Sequence, residues 1–115
     1  MPDVAAVIPT FFVPDVRKTA DWYVSKLGFT VDFMTADYGG VRLGPVTIHL
    51  AAFGKALKGA AYLRLNSGLD AYIAEIVARG QPLTAALKDH PEYGMREATV
   101  RDLDGNDLYI GQPLA

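Results

Sequence analysis

Apolar residues recur along this chain with two periods, one near 3.6 residues and one of two, and the switches between them mark out its elements. After Asp15, the residues Val16, Ala20, Tyr23 and Leu27 fall on one helical face, with Asp15 placed to cap the start and Gly28 the end. A second stripe, Leu69, Tyr72, Ile73, Ile76 and Val77, follows "NSGLD", where Ser67 and Asp70 read as a capping box, and Gly80 stops it. Strand-like segments, "VAAVIPTFFV" and "GAAYLRLN", precede the two helices, and short alternating runs broken by turn residues follow them. The predicted order is βαβββ, twice, in repeats of about 1–55 and 58–115 that make up a single domain over 1–115.

The two repeats end alike. "VRLGPVTIHL" and "VRDLDGNDLYI" each run from a Val-Arg pair through a glycine-containing turn into a last strand, which makes His49 and Tyr109 counterparts. Because strand side chains alternate, Val46, Ile48 and Leu50 share one face and send Thr47, His49 and Ala51 to the other. Likewise Ala61, Leu63 and Leu65 face a helix while Tyr62 and Arg64 face away, and Leu108 and Ile110 are core while Asp107 and Tyr109 point outward. The face away from the helices therefore carries Tyr, His, Arg and Thr, a mixture suited to lining a cleft.

The acidic stretch "RDLDGNDLYIG" raises the question of a metal site. A calcium loop of the EF-hand kind needs its glycine sixth and a glutamate twelfth; here Gly105 comes fourth from Asp102 and no glutamate follows. Asp104-Gly105 before an alternating strand predicts instead a hairpin turn with positive φ at Gly105. His90, in "KDHPEYG", reads as a solvated loop residue, although His49, His90 and a carboxylate such as Glu97 are the types that form a facial triad.

Composition narrows the function classes. The chain has 115 residues, 50% hydrophobic and 21% charged, as in an ordinary globular domain. A net charge of -2 without a basic cluster argues against nucleic acid, and the absence of cysteine excludes disulfides and thiolate zinc sites. No apolar run is long enough to span a membrane and "MPDVAAVIPT" does not read as a leader, so the expected location is the cytoplasm, with no membrane partner.

With "VPDVRKTADWYVSKLGFTVDF" near its start and "GMREATVRDLDGNDLYI" near its end, the doubled unit resembles the vicinal oxygen chelate superfamily, which includes glyoxalase I, extradiol dioxygenases and bleomycin resistance proteins. The similarity is greatest to the bleomycin resistance group, through "IPTFFVPDV", "WYVSKLGFTVDFMTADYGGV", "GLDAYIAE" and "YGMREATVRDLDGN". It implies an α+β fold, two βαβββ modules forming a concave mixed sheet with helices on the outer face. It also implies four metal-ligand positions, which look like Ile8, His49, Tyr62 and Tyr109. Ile8 has no donor atom and neutral tyrosine is a poor ligand, so no metal and no other cofactor is expected.

The same resemblance places aromatic rings around a bound drug. Phe33, Tyr38 and Tyr93 match such regions, and His49, Tyr62, Arg64, Arg96, Glu97 and Tyr109 complete the candidate ligand-binding set. Each group also has a purely structural role as an alternative: the rings anchor loops, His49 bonds a neighbouring tyrosine or backbone, and Trp22 and Tyr23 pack in the core or at a dimer contact. Arg64, Arg42 and Arg101 on the cleft side predict an anionic or neutral aromatic ligand rather than a cationic one.

Two functions follow as expectations. The first is a metal-independent binding protein, without catalytic residues, that sequesters a small molecule, such as a drug or toxin, in a homodimer cleft. The alternative is an enzyme of the superfamily, a lyase, isomerase or dioxygenase with a non-standard site, in which His49 carries a proton and Arg64 stabilises an anion.

Overall fold

The computed structural model describes residues 1–115 and contains the doubled unit. The first module comprises β1 (Thr10–Phe12), α1 (Val16–Leu27), β2 (Thr30–Met34), β3 (Tyr38–Leu43) and β4 (Val46–Ala51). The second comprises β5 (Ala60–Arg64), α2 (Leu69–Ala78), β6 (Ala85–His90), β7 (Met95–Arg101) and β8 (Asp107–Pro113). Each module builds its own four-stranded mixed sheet, in the orders β1-β4-β3-β2 and β5-β8-β7-β6. In both, the strand before the helix pairs in parallel with the last strand of the module, and the other pairs are antiparallel. Neither helix is long and apolar enough to cross a membrane.

The helical stripes are the core. Val16, Ala20, Tyr23 and Leu27 of α1 are buried with Ile48 and Leu50, and Leu69, Ile73 and Ile76 of α2 with Leu63, Val100, Leu108 and Ile110. Val77, the last apolar residue of the second stripe, is exposed instead. The helix termini differ from one another. Asp15 caps α1 by accepting from the Lys18 amide at 3.0 Å, and Gly28 ends it with φ of 74°. At α2 the cap position is Gly68, in the left-handed region, so the Ser67–Asp70 box does not form, and the first amide of the helix, that of Leu69, donates instead to Gln112 Oε1 at 3.1 Å. Asp70 is drawn instead to the Arg96 guanidinium, at 3.0 and 3.2 Å. Asp15→Ala should therefore cost about 0.5 to 2 kcal/mol in urea unfolding, whereas Ser67→Ala should leave the midpoint unchanged.

The "DLDGN" segment is a turn, with Gly105 at φ of 90°, but it also joins the modules. Asp102 is buried, and its carboxylate accepts from the Tyr23 hydroxyl of α1 at 2.6 Å and from the amides of Asp104 and Asn106 at 2.9 and 2.8 Å. Thr19 of α1 donates to Asp104. Asn106 Oδ1 accepts from the Gly59 amide at 2.7 Å, fixing the entry to β5. Burial first, and the Asp102 carboxylate second, push the Tyr23 phenol well above its ordinary pKa, so it stays a donor. Between the helices, Tyr72 donates to the Leu27 carbonyl at 2.6 Å and Arg79 to those of Val24 and Ser25.

Candidate functional site

With α1 covering one side of the first sheet, alternation leaves Phe12, Phe33, Tyr38 and His49 on the other. They form one cluster of rings: Phe33 lies 5.4 Å from Tyr38 and 5.2 Å from His49, and Tyr38 5.3 Å from His49 and 5.7 Å from Phe53, between centroids. Phe53 in turn contacts Phe12. The Tyr38 hydroxyl and His49 Nδ1 are 2.5 Å apart. Gly40, paired with both Phe33 and His49, makes room for this cluster, since a Cβ there would stand 2.6 Å from the Phe33 ring. That glycine is a site residue that sequence reasoning missed, although a glycine inside a strand is a sign of close approach.

On the second sheet Ala98 and Val100 point into the core, so Met95, Glu97 and Thr99 take the opposite face. Tyr62 and Tyr109 are direct partners across β5 and β8, and their rings lie parallel within 9°, with centroids 6.3 Å apart. His90 ends β6 and stacks on Tyr93 at 5.0 Å, so it is not a solvated loop residue. The residue before a proline prefers extended backbone, which was the available signal. Glu97 is 9% exposed; Tyr93 donates to its Oε1, and His90 Nε2 stands 3.9 Å from the same atom. Glu97 Oε2 is buried without any hydrogen-bond partner.

Gly111 pairs with Glu97 and with Arg64. A Cβ on it would run into the Tyr62 hydroxyl and stand 3.1 Å from the Glu97 Cβ, so the Tyr62 ring tip and the carboxylate stem flank one point above this glycine. Desolvation first, and the Glu97 carboxylate next, raise the Tyr62 phenol above its ordinary pKa. Tyr93 is pushed up to about 12, chiefly by its hydrogen bond to Glu97.

Arg96 departs from the expectation that grouped it with Glu97. As the next residue along the strand it faces the other way, held by Asp70 at 3.0 Å and Asp89 at 2.9 Å beside the start of α2. Arg42 stands 3.9 Å from Asp32, and Arg101 bonds Asp107 at 2.9 Å. Two of the three cleft-side arginines thus have a carboxylate partner, and Arg64 alone does not. Arg64 borders a groove of about 350 Å³ with Leu43, Pro45 and Val46, between the two modules.

The four positions that the resemblance associates with a metal are dispersed. Register places Thr10, not Ile8, opposite His49, in the place that Tyr62 holds opposite Tyr109. Ile8 lies two residues before β1, and nowhere do three His, Asp or Glu side chains converge as a metal-binding group. His49 and His90 lie on different sheets, and within one chain no hydrogen bond, ion pair or ring contact joins the His49 cluster to the Glu97 cluster.

The sequence profile of the Glyoxalase/Bleomycin resistance protein/Dioxygenase superfamily matches residues 5–110. No curated protein matches the chain. Among solved structures, a glyoxalase-related enzyme from Clostridium phytofermentans is 24% identical, covering 98% of each chain with a TM-score of 0.83. The bleomycin resistance determinant encoded on the transposon Tn5 is 22% identical, covering 96% of this chain and 98% of its own, at 0.81. A bleomycin-binding protein from Streptomyces verticillus, solved with copper(II)-bleomycin, is 24% identical, with 96% and 97% covered, at 0.77. These structures share the fold.

Proposed function

The chain belongs to the Glyoxalase/Bleomycin resistance protein/Dioxygenase superfamily, and from that premise we propose that it is a metal-independent binding protein for a small aromatic molecule. The observation that carries this reading is the pair of ring-lined sheet faces, Phe33, Tyr38 and His49 on one and Tyr62, Tyr93 and Tyr109 on the other. Stacking on such rings adds about 0.5 to 1.5 kcal/mol per ring to the burial of an aromatic ligand. The donor set argues against a metal centre: Ile8 offers no lone pair, Thr10 and the two tyrosines are weak neutral ligands, and His49 Nδ1 is engaged by Tyr38. Two relatives of similar fold are named for bleomycin, which supports sequestration over turnover.

The two faces are separate within one chain, and in this reading a second copy closes them into a cleft. Sedimentation at micromolar concentration should give a homodimer, and a monomer there would remove that part of the proposal. The broader reading is tested by a thermal-shift screen: a ligand at about 100 times its dissociation constant stabilises the fold by about 2.7 kcal/mol. One zinc, nickel, iron or manganese per chain after mild purification, lost in His49→Ala, would overturn metal independence.

The close Tyr38–His49 pair favours a second reading, an enzyme of the superfamily that moves a proton at the free His49 Nε2. Chemical conversion of a bound hit, abolished in His49→Gln without loss of binding, would establish it in place of sequestration.

A further inference from the structure

A carboxylate oxygen removed from water without a partner costs free energy, and native structures pair nearly all such atoms. Glu97 Oε2 is an exception, on the cleft-side face of β7. Its sister oxygen is satisfied by Tyr93. His90 stands 3.9 Å from the other oxygen, Oε1, while Lys88, directly across the β6–β7 pairing, and Arg64, across from Gly111, form no ion pair with the carboxylate. What covers this corner is the tip of the Tyr62 ring, on a residue 44% exposed.

From this we infer that Glu97 is the recognition carboxylate of the cleft and that the ligand bears a protonated amine, which displaces the Tyr62 hydroxyl and donates to Oε2. The inference rests on the binding reading above and adds the ligand's charge. It reverses the anionic preference expected from the sequence: Arg42 and Arg101 have carboxylate partners in Asp32 and Asp107, and Arg64, the one of the three without a partner, forms no ion pair with Glu97 and borders the groove between the modules. One free oxygen suits a single N–H donor, whereas a guanidinium fork needs two. The parallel pairs Tyr62–Tyr109 and His90–Tyr93 flank the carboxylate, and the negative face of a tyrosine ring attracts a cation as well as an aromatic skeleton.

The test uses matched sets of aromatic amine, alcohol and carboxylate on one skeleton, such as tryptamine, tryptophol and indole-3-acetate, titrated by calorimetry into wild type and Glu97→Gln. The glutamine keeps an acceptor for Tyr93 and the side-chain shape but removes the charge. The wild type should bind the amine at least about tenfold more tightly than the alcohol, as a charge-assisted hydrogen bond predicts, and Glu97→Gln should lose that preference while alcohol affinity holds. An amine preference that survives in Glu97→Gln overturns the inference. So does a wild type that favours the alcohol or the carboxylate, an outcome that leaves the binding reading standing. If no member of any set binds at millimolar concentration, the binding reading fails and takes the inference with it. Should Glu97→Gln not fold, the wild-type ranking within each set still decides, and Glu97→Asp, with its charge drawn back by one methylene, should weaken the amine selectively.

Discussion

Asp102→Ala should destabilise the protein by at least about 3 kcal/mol, a large part of the roughly 5 to 15 kcal/mol available to a domain of this size. The substitution strands several donors at once: the buried Tyr23 hydroxyl, the amides of Asp104 and Asn106, and the Asn106 side-chain amide. Each buried donor left unpaired costs about 1 to 3 kcal/mol, and water entering the gap recovers only part of the sum. Two milder variants separate the contributions. Asp102→Asn keeps an acceptor and should lose less, and Tyr23→Phe removes one donor while Asp102 keeps its other partners. Guanidinium unfolding of the three should rank Asp102→Ala lowest by a clear margin; equal midpoints would refute the buried-hub account.

The second large effect is expected at Gly111→Ala, which inserts one methyl where the Tyr62 hydroxyl lies. The methyl cannot move, because β8 is paired on both sides, with β5 and with β7. Tyr62 must give way, losing its parallel contact with Tyr109 and its place beside Glu97. Overpacking of this kind costs about 1 to 3 kcal/mol. The diagnostic is the double variant: with Tyr62→Ala also present the methyl meets only the Glu97 Cβ at 3.1 Å, a contact that a shift of a few tenths of an ångström relieves, so Gly111→Ala should then cost little. Additive losses in that double-mutant cycle would mean that the two side chains do not compete for the same volume.

These two sites show what the sequence made legible and what it did not. Helical stripes and strand alternation are local patterns, and they placed the core and turned Tyr62, Arg64, His49 and Tyr109 to the face away from the helices. The Asp-Gly turn was equally local. Asp102 also serves as a buried acceptor, but that depends on Tyr23, 79 residues away in the chain, which no periodicity reports. Arg96 differs: alternation along "MREATV" alone separates it from Glu97, whereas its partner Asp70, 26 residues earlier, is visible only in the fold. Ser67 has the residue type of a cap, but the glycine after it takes the cap position in a left-handed conformation. Gly40 and Gly111 could be suspected as strand glycines, yet the rings that need their space could be identified only in three dimensions.

The two hairpin turns, so similar as sequence, are not interchangeable. The first passes through Gly44-Pro45 and carries no carboxylate, whereas the second receives Tyr23 and Thr19 from the helix of the other module. A chain made of two copies of the first module would present two tyrosine donors and no acceptor, and one made of two copies of the second would have the acceptors without Tyr23. At this contact the duplicated architecture is therefore directional, with the first half as donor and the second as receiver, and neither residues 1–55 nor 58–115 should fold as a self-paired half-protein, although the two mixed together should associate.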